Sequence, residues 1–304
     1  MAESIYINKK RNKDLKNIEV KMNKMFIKMN NLLIEQFKFI EDQISGIETE
    51  INKIEEKLWP DYFYIEAVND NTIVRPEIEG TGYLKYTKTP DDDSSWTNIG
   101  SLEDINLNAA EKVYFHGDLT PAQESGGGRT YAVIFHATNN IRCGGNVYYV
   151  ADNDGKLTKS YQCAHMFEDN TYLLNAPELP ATTLTTYCYD SMFYNCTGLT
   201  TAPELPATTL ADHCYNQMFT GCTSLTTAPE LPATTLADYC YVSMFNACSS
   251  LNYVKCLATD MTANDCIANW LTDTASTGTF VKDANTTWPS GGSGIPTGWT
   301  IINA

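Results

Sequence analysis

The sequence predicts a multidomain α+β protein with an N-terminal long coiled-coil helix, a small β-sandwich and a C-terminal repeat solenoid with a cap. Three observations predict this class: an apolar seam in residues 15–58, short β-type runs in residues 61–150, and a 26-residue repeat beyond them. At 304 residues and 43% hydrophobic content, the chain can bury cores in two or three domains. The predicted domains are residues 1–59, 60–155, 156–252 and 253–304.

The N-terminal seam alternates steps of four and three residues, which is the spacing of a coiled coil. A helix with a single apolar stripe is marginal in water, so we expect the chain to form a homo-oligomer. Isoleucine at successive a and d positions favours a trimer, and a dimer is possible. A helix folded back onto the chain's own domains is the alternative. The predicted oligomerisation residues are Leu15, Ile18, Met22, Met25, Met29, Ile40, Ile44, Ile47, Ile51, Ile54 and Leu58.

The seam ends at Trp59-Pro60, because proline cannot continue a helix. Beyond it, turn-rich segments separate short runs of β-forming residues, which predicts a small β-sandwich that acts as a spacer. The predicted strands are residues 62–67, 82–87, 112–116, 131–136 and 146–150.

The repeat begins with Ala-Pro-Glu-Leu-Pro-Ala-Thr-Thr-Leu, which starts at Ala176, Ala202 and Ala228. Its two prolines allow an extended segment and exclude a helix. The second half, residues 211–222 in the middle copy, contains no proline and has apolar residues at spacings of three and four, which predicts a short helix. Stacked copies would bury a face that no single copy can bury.

Each copy continues with Met-Phe-x-x-Cys-x-x-Leu, as in residues 192–199. Together with Leu-x-x-Ala-Pro-Glu-Leu-Pro, this pattern resembles the BspA-type bacterial surface leucine-rich repeat over residues 161–257. Residues 254–281 resemble the terminal cap of Bacteroides-associated arrays, and the middle region more weakly resembles the β domain that precedes them. The resemblance implies a leucine-rich-repeat solenoid of strands and helices that binds a partner.

Differences between the copies cluster in their second halves. Positions that vary between copies are usually exposed, and tyrosine, histidine and asparagine in a row can contact sugars. Neutral drift on an idle face explains the same pattern. The candidate ligand-binding residues are Tyr187, Asp190, Tyr194, His213, Asn216, Gln217, Tyr239 and Asn246.

Charge and motif content exclude several function classes. Residues 1–58 carry 11 Lys/Arg and 10 Asp/Glu, and residues 59–304 carry 10 and 27, which argues against nucleic-acid binding. Most of the ten cysteines recur with the repeat and are expected in the core. No zinc or calcium pattern, phosphate loop or nucleophile elbow is complete, so we expect no metal, no cofactor and no enzymatic activity.

These features resemble virion fibres of Bacteroides-infecting phages, including the crAss-like group. The resemblance implies attachment to a capsid or tail protein through the N-terminal segment, including residues 4–8, and adhesion to a host surface glycan, mucosal glycan or protein. Because no apolar leader or membrane span is visible, we expect synthesis in the host cytoplasm and a place on the virion exterior. The alternatives are a bacterial cell-surface or secreted adhesin and a fibre-borne polysaccharide depolymerase.

Overall fold

A computed structural model describes residues 16, 20–41, 43–47, 62–90, 93–123 and 128–304 of the chain. The chain forms two compact units, Met1–Pro60 and Asp61–Ala304. In the first unit, all the described residues are α-helical, 28 residues in total. The predicted residues Leu15, Ile18, Ile51, Ile54 and Leu58, and the proposed anchor at residues 4–8, lie outside the described residues.

The predicted fold class is wrong. The described part of the chain contains one short helix and mostly small antiparallel sheets, and it matches neither a long coiled coil nor a leucine-rich-repeat solenoid. The helix also has more than the single apolar stripe that the prediction assumes. Val20, Ile27 and Ile34 are 53%, 59% and 54% exposed, and at 100° per residue they lie opposite the predicted seam.

Residues 62–155, which we call the sheet region, contain the antiparallel strands of the chain. The strands are β1 (Phe63–Ala67), β2 (Thr72–Ile78), β3 (Thr81–Thr87), β4 (Thr97–Asn98), β5 (Ile105–Leu107), β6 (Lys112–Thr120), β7 (Ala122–Gln123), β8 (Thr130–Tyr131), β9 (Val133–Ala137) and β10 (Ile141–Gly144). They form sheets in the orders β10-β1-β6-β3-β4, β5-β2-β9 and β7-β8. Strand β2 was not predicted, because Pro76 interrupts its sequence; its ladder to β9 nevertheless runs from Val74 opposite Ala137 to Ile78 opposite Val133. The predicted strand at 146–150 is instead a 3₁₀ helix, Val147–Val150.

Phenylalanine side chains connect the sheet region to the repeats. Phe63 packs on Phe115 and Phe135, and Phe135 lies 6.0 Å from Phe167, measured between ring centroids. Phe167 in turn stacks on Phe193 at 5.6 Å. All five rings are fully buried, so one apolar core continues from the sheets into the repeats.

The repeats form a stack without regular strands or α-helices among the described residues 161–252, which we call the repeat stack. Isolated parallel bridges, such as Asn175 with Thr201 and Thr183 with Thr209, take the place of the predicted strands. Proline in each extended half removes backbone donors from any ladder, which accounts for the interruption. The buried phenylalanine row continues through Phe219 and Phe245 at 5.4 Å per step.

The predicted helix of each copy is a series of turns. In the middle copy, His213, Gln217 and Gly221 have φ of 56°, 53° and 75°, which an α-helix cannot accommodate. The predicted helical face is nevertheless buried, because turns that repeat every four residues also return apolar side chains to one side. Cys214, Met218, Phe219 and Cys222 are all fully buried.

The C-terminal segment closes the stack with a parallel sheet in the order β11-β12-β13 (Tyr253–Lys255, Thr279–Lys282, Thr300–Asn303). A second internal row of rings, Tyr189, Tyr215 and Tyr241, ends on Trp270, whose ring lies 6.0 Å from that of Tyr241. Trp270 then stacks on Trp288 at 5.4 Å. These indoles cover apolar side chains that the last copy would otherwise expose.

Candidate functional site

The candidate site lies on the turns of the repeat stack, whose backbone alternates between two hydrogen-bonding roles. Residues 187, 189, 191, 193 and 195 donate their N–H groups to carbonyls 25 residues later, in the next copy. The intervening residues 188, 190, 192, 194 and 196 donate to carbonyls three residues back. The same scheme recurs in the copies before and after, so equivalent side chains of successive copies align in rows.

The first row consists of aromatic rings. Tyr161, Tyr187, His213 and Tyr239 stack with centroid distances of 4.5, 4.3 and 4.6 Å and interplanar angles of 19° or less. All four side chains are half-buried. Because the rings cover one another's faces, a ligand meets their edges, the three hydroxyl groups and the imidazole. Three of these residues were predicted; Tyr161 was missed, although it stands one period before Tyr187.

The second row is polar and begins at the sheet region. Arg129 donates to Oε2 of Glu168 at 2.8 Å, and Nδ1 of His165 lies 2.9 Å from the same oxygen. Nε2 of His165 lies 3.6 Å from Oδ2 of Asp190, whose other oxygen accepts a hydrogen bond of 2.6 Å from Asn216. The predicted pair Asp190 and Asn216 is therefore joined directly, in a network that also includes three residues which the sequence did not indicate.

The two carboxyl groups of this row have pKa values that shift in opposite directions. Burial raises the pKa of Asp190, although His165 and Asn216 partly offset it. Burial also acts to raise the pKa of Glu168, but hydrogen bonds from His165 and Arg129 outweigh it, so that the pKa is lowered. Burial, followed by the charge of Asp190, raises the pKa of the Tyr187 hydroxyl in the neighbouring row. The Tyr187 hydroxyl therefore stays protonated and can both donate and accept hydrogen bonds.

The remaining predicted residues lie on the same turns. Gln217 has a left-handed backbone and half-buried side chain. Tyr194 and Asn246 are half-buried at equivalent positions, with Thr220 between them in the sequence of copies. Among the described residues, no side-chain hydrogen bond or ring contact links Tyr194, Gln217 or Asn246 to the two rows. The rows thus unite five of the eight predicted residues.

The ten cysteines are free thiols and all are buried. Within the described ranges, no group of three or more His, Cys, Asp or Glu side chains is placed to hold a metal ion. The part of the chain that the structure describes also contains no helix long and apolar enough to cross a membrane.

Comparisons of the chain with models of protein families, with curated proteins and with solved structures give no significant match.

Proposed function

We propose that the chain is a structural, adhesive fibre protein of a phage virion, on the head or tail. Its N-terminal segment would attach it to a capsid or tail protein, and the repeat stack would contact host surface or mucosal glycans. The observation that carries this proposal is the aromatic row, which repeats hydroxyl and imidazole edges at a spacing of one copy. A repeated polar edge suits a repetitive ligand such as a polysaccharide, since neighbouring copies can engage neighbouring sugars.

The helix supports the assembly part of the proposal. Met22, Met25, Met29, Ile40 and Ile44 are between 50% and 73% exposed. Exposed apolar area of this extent on one helix is typical of a surface that another chain covers. Copies of the same chain are the simplest partners, and we favour a trimer, with a dimer as the alternative.

Light scattering of the full chain and of a shorter chain beginning at Asp61 tests the assembly. We expect the mass of about three chains for the full protein and of one chain after truncation. Replacing Ile40 and Ile44 by Asp in the full chain should also give a monomer, because charges at an apolar interface oppose association. A monomeric full-length protein would contradict self-assembly through the helix.

Glycan binding tests the adhesive part. Tyr187→Phe and Tyr239→Phe each remove one hydroxyl and retain the stacked ring, so the fold is preserved. We expect each to weaken binding to mucin or capsular polysaccharide by roughly three- to tenfold, the value of one hydrogen bond of about 1 kcal/mol. Tyr253→Phe is the matched control, because Tyr253 is 37% exposed and lies in β11, outside the row.

Equal binding by all three variants would show that the aromatic row is not the adhesive surface. Mass spectrometry of purified virions distinguishes a fibre from a bacterial cell-surface adhesin that carries the same aromatic row. Only a fibre protein would be found as a stoichiometric component of the virion.

A further inference from the structure

A groove of about 650 Å³ lies between the proline-containing segments of the second and third copies, and no residue of the aromatic row lines it. Its walls are residues 200–206 on one side and residues 226–230 with Pro232 on the other. Seven extended residues span about 23 Å. The groove therefore has the length of a short extended peptide.

The backbone in this groove lacks the pairing found one copy later. In the third copy, Ala228 and Leu231 donate to the carbonyls of Tyr253 and Lys255 at 2.9 and 3.0 Å. Within the described residues, no backbone hydrogen bond joins residues 200–206 to residues 226–232. The equivalent donors of the second copy, Ala202 and Leu205, thus have no carbonyl of the third copy as acceptor.

Proline explains the difference between these two junctions. Pro203 and Pro206 face a segment that carries Pro229 and Pro232 at the same positions of the repeat, so four residues at this junction lack an N–H group. The segment that follows the third copy has Val254, Lys255 and Cys256 there and pairs with it through the bridge between Leu231 and Cys256. The groove is consequently a gap in a ladder that closes again one copy later.

The carboxylates that line the groove favour a partner of one charge. Glu204 and Glu230 are both exposed and line the groove. Glu230 forms an ion pair of 2.9 Å with Lys255, whereas Glu204 has no ion pair among the residues that the structure describes. Beyond the helix, acidic residues outnumber basic ones by 27 to 10. A cationic partner is therefore favoured over an anionic one.

We propose that this groove binds an extended, basic segment of polypeptide from a partner protein, which adds a strand between the second and third copies. Main-chain hydrogen bonds from the N–H groups of Ala202 and Leu205 to carbonyls of the peptide would supply affinity, as in other cases of strand addition. Ala, Pro and Leu side chains of the walls contact the peptide, and Glu204 selects a lysine or arginine of the peptide. This partner is distinct from the glycan proposed for the aromatic row.

Fluorescence polarisation of the full chain with a labelled peptide tests the proposal. The probe is Thr-Lys-Val-Lys-Val-Lys-Thr with blocked termini, compared with a version in which Glu replaces Lys. We expect the basic probe to bind and the acidic one to bind at least tenfold more weakly. A probe with trans-alkene groups in place of alternate amides, which keeps its charge and lacks those carbonyl acceptors, should also bind at least tenfold more weakly.

Glu204→Gln should weaken the basic probe by roughly three- to tenfold, since one partly exposed charge pair is lost. Glu178→Gln is the matched control, because it removes the equivalent carboxylate of the first copy, which does not line the groove. Equal loss in both variants, equal binding of the alkene-containing probe, or displacement by mucin oligosaccharides would each overturn the proposal. Loss of glycan binding in Tyr187→Phe with peptide binding unchanged would show that the two sites are separate.

Discussion

The sheet region and the repeat stack satisfy their backbone hydrogen bonds in different ways within one compact unit. In the sheet region, long antiparallel ladders pair the strands, as between β3 and β6 from Thr81 opposite Thr120 to Thr87 opposite Tyr114. In the repeat stack, alternate residues of each turn series donate to the next copy and the others donate within their own turns. The comparison shows that buried backbone can be satisfied without strands or helices when every fourth residue adopts a left-handed conformation.

The two solutions place different demands on side chains. A ladder tolerates varied residues, because only the alternation between faces matters. The stack repeats the same buried side chain at the same position of each copy, as in the rows of phenylalanine, tyrosine and cysteine. Its stability therefore depends on a few positions repeated many times, and the following predictions test that dependence.

The largest expected effect comes from truncating one ring in each region. Phe115 lies 4.8 Å from Phe135 in the sheet region, and Phe219 lies 5.4 Å from both Phe193 and Phe245 in the stack. Replacing either by Ala should lower the free energy of unfolding by about 3–5 kcal/mol, through lost burial and a residual cavity. Urea unfolding followed by circular dichroism measures this.

Both variants should unfold in a single transition, because the phenylalanine core is continuous between the regions. Tyr172→Ala is a control with an expected effect below about 1 kcal/mol, since Tyr172 is 41% exposed. Two separate transitions, with only one displaced by each substitution, would show that the regions unfold independently.

An intermediate effect on stability is expected at alkaline pH, because most of the buried thiols lie outside the sheet region. Cys143 lies in the sheet region, and the other nine cysteines lie between Cys163 and Cys266. Burial raises the pKa of Cys248 and Cys256 to about 12, from an ordinary value of 9. Above pH 9 the unfolded chain has therefore lost thiol protons that the folded chain retains, so the free energy of unfolding falls as pH rises.

Urea unfolding at pH 8, 9 and 10 measures this slope. Each buried thiol contributes at most about 1.4 kcal/mol per pH unit. Cys248→Ala should lower stability at every pH but make the slope shallower, whereas Phe219→Ala should leave the slope unchanged. An unaltered slope in Cys248→Ala would mean that this thiol ionises equally in both states.

The smallest expected effect is a change in stability whose sign tests the left-handed turns. Ser243 has φ of 50°, a conformation that favours glycine. Ser243→Gly should leave stability unchanged or raise it by up to about 1 kcal/mol. Ser249→Gly, at an exposed position without positive φ, should lower it by about 0.5–1 kcal/mol. Destabilisation by both substitutions would favour a helix at residues 238–248 and contradict the turns.

The sequence predicted the period and the burial of the recurring cysteines, because identical residues recur at 26-residue intervals. It did not predict the turns, since spacings of three and four are common to helices and to these turns, and the left-handed residues are mostly tyrosine, histidine, serine, glutamine and asparagine rather than glycine. Of the middle copy's left-handed positions, only Gly221 carries the usual signal.

The sequence indicated only part of the candidate site. Variation between copies identified Tyr187, His213 and Tyr239, and stacking joins them. Arg129 and Glu168 were not indicated, because they are 39 residues apart in sequence and their contact depends on how the sheet region meets the turns that precede the first copy. Strand β2 was missed because a proline within a paired strand is rare, and only the structure shows its pairing on both sides.

The direction of the hydrogen bonds in the stack also constrains how its length can vary. In the turns, alternate residues of each copy donate to the next copy, and the same arrangement links the last copy to residues 264–272. Duplication or excision of a segment in multiples of 26 residues would therefore restore the donors of the turns to equivalent acceptors and preserve both ends. A change of 25 or 27 residues would displace the left-handed positions and misalign all subsequent rows. Natural variants of this protein should accordingly differ in length by whole copies.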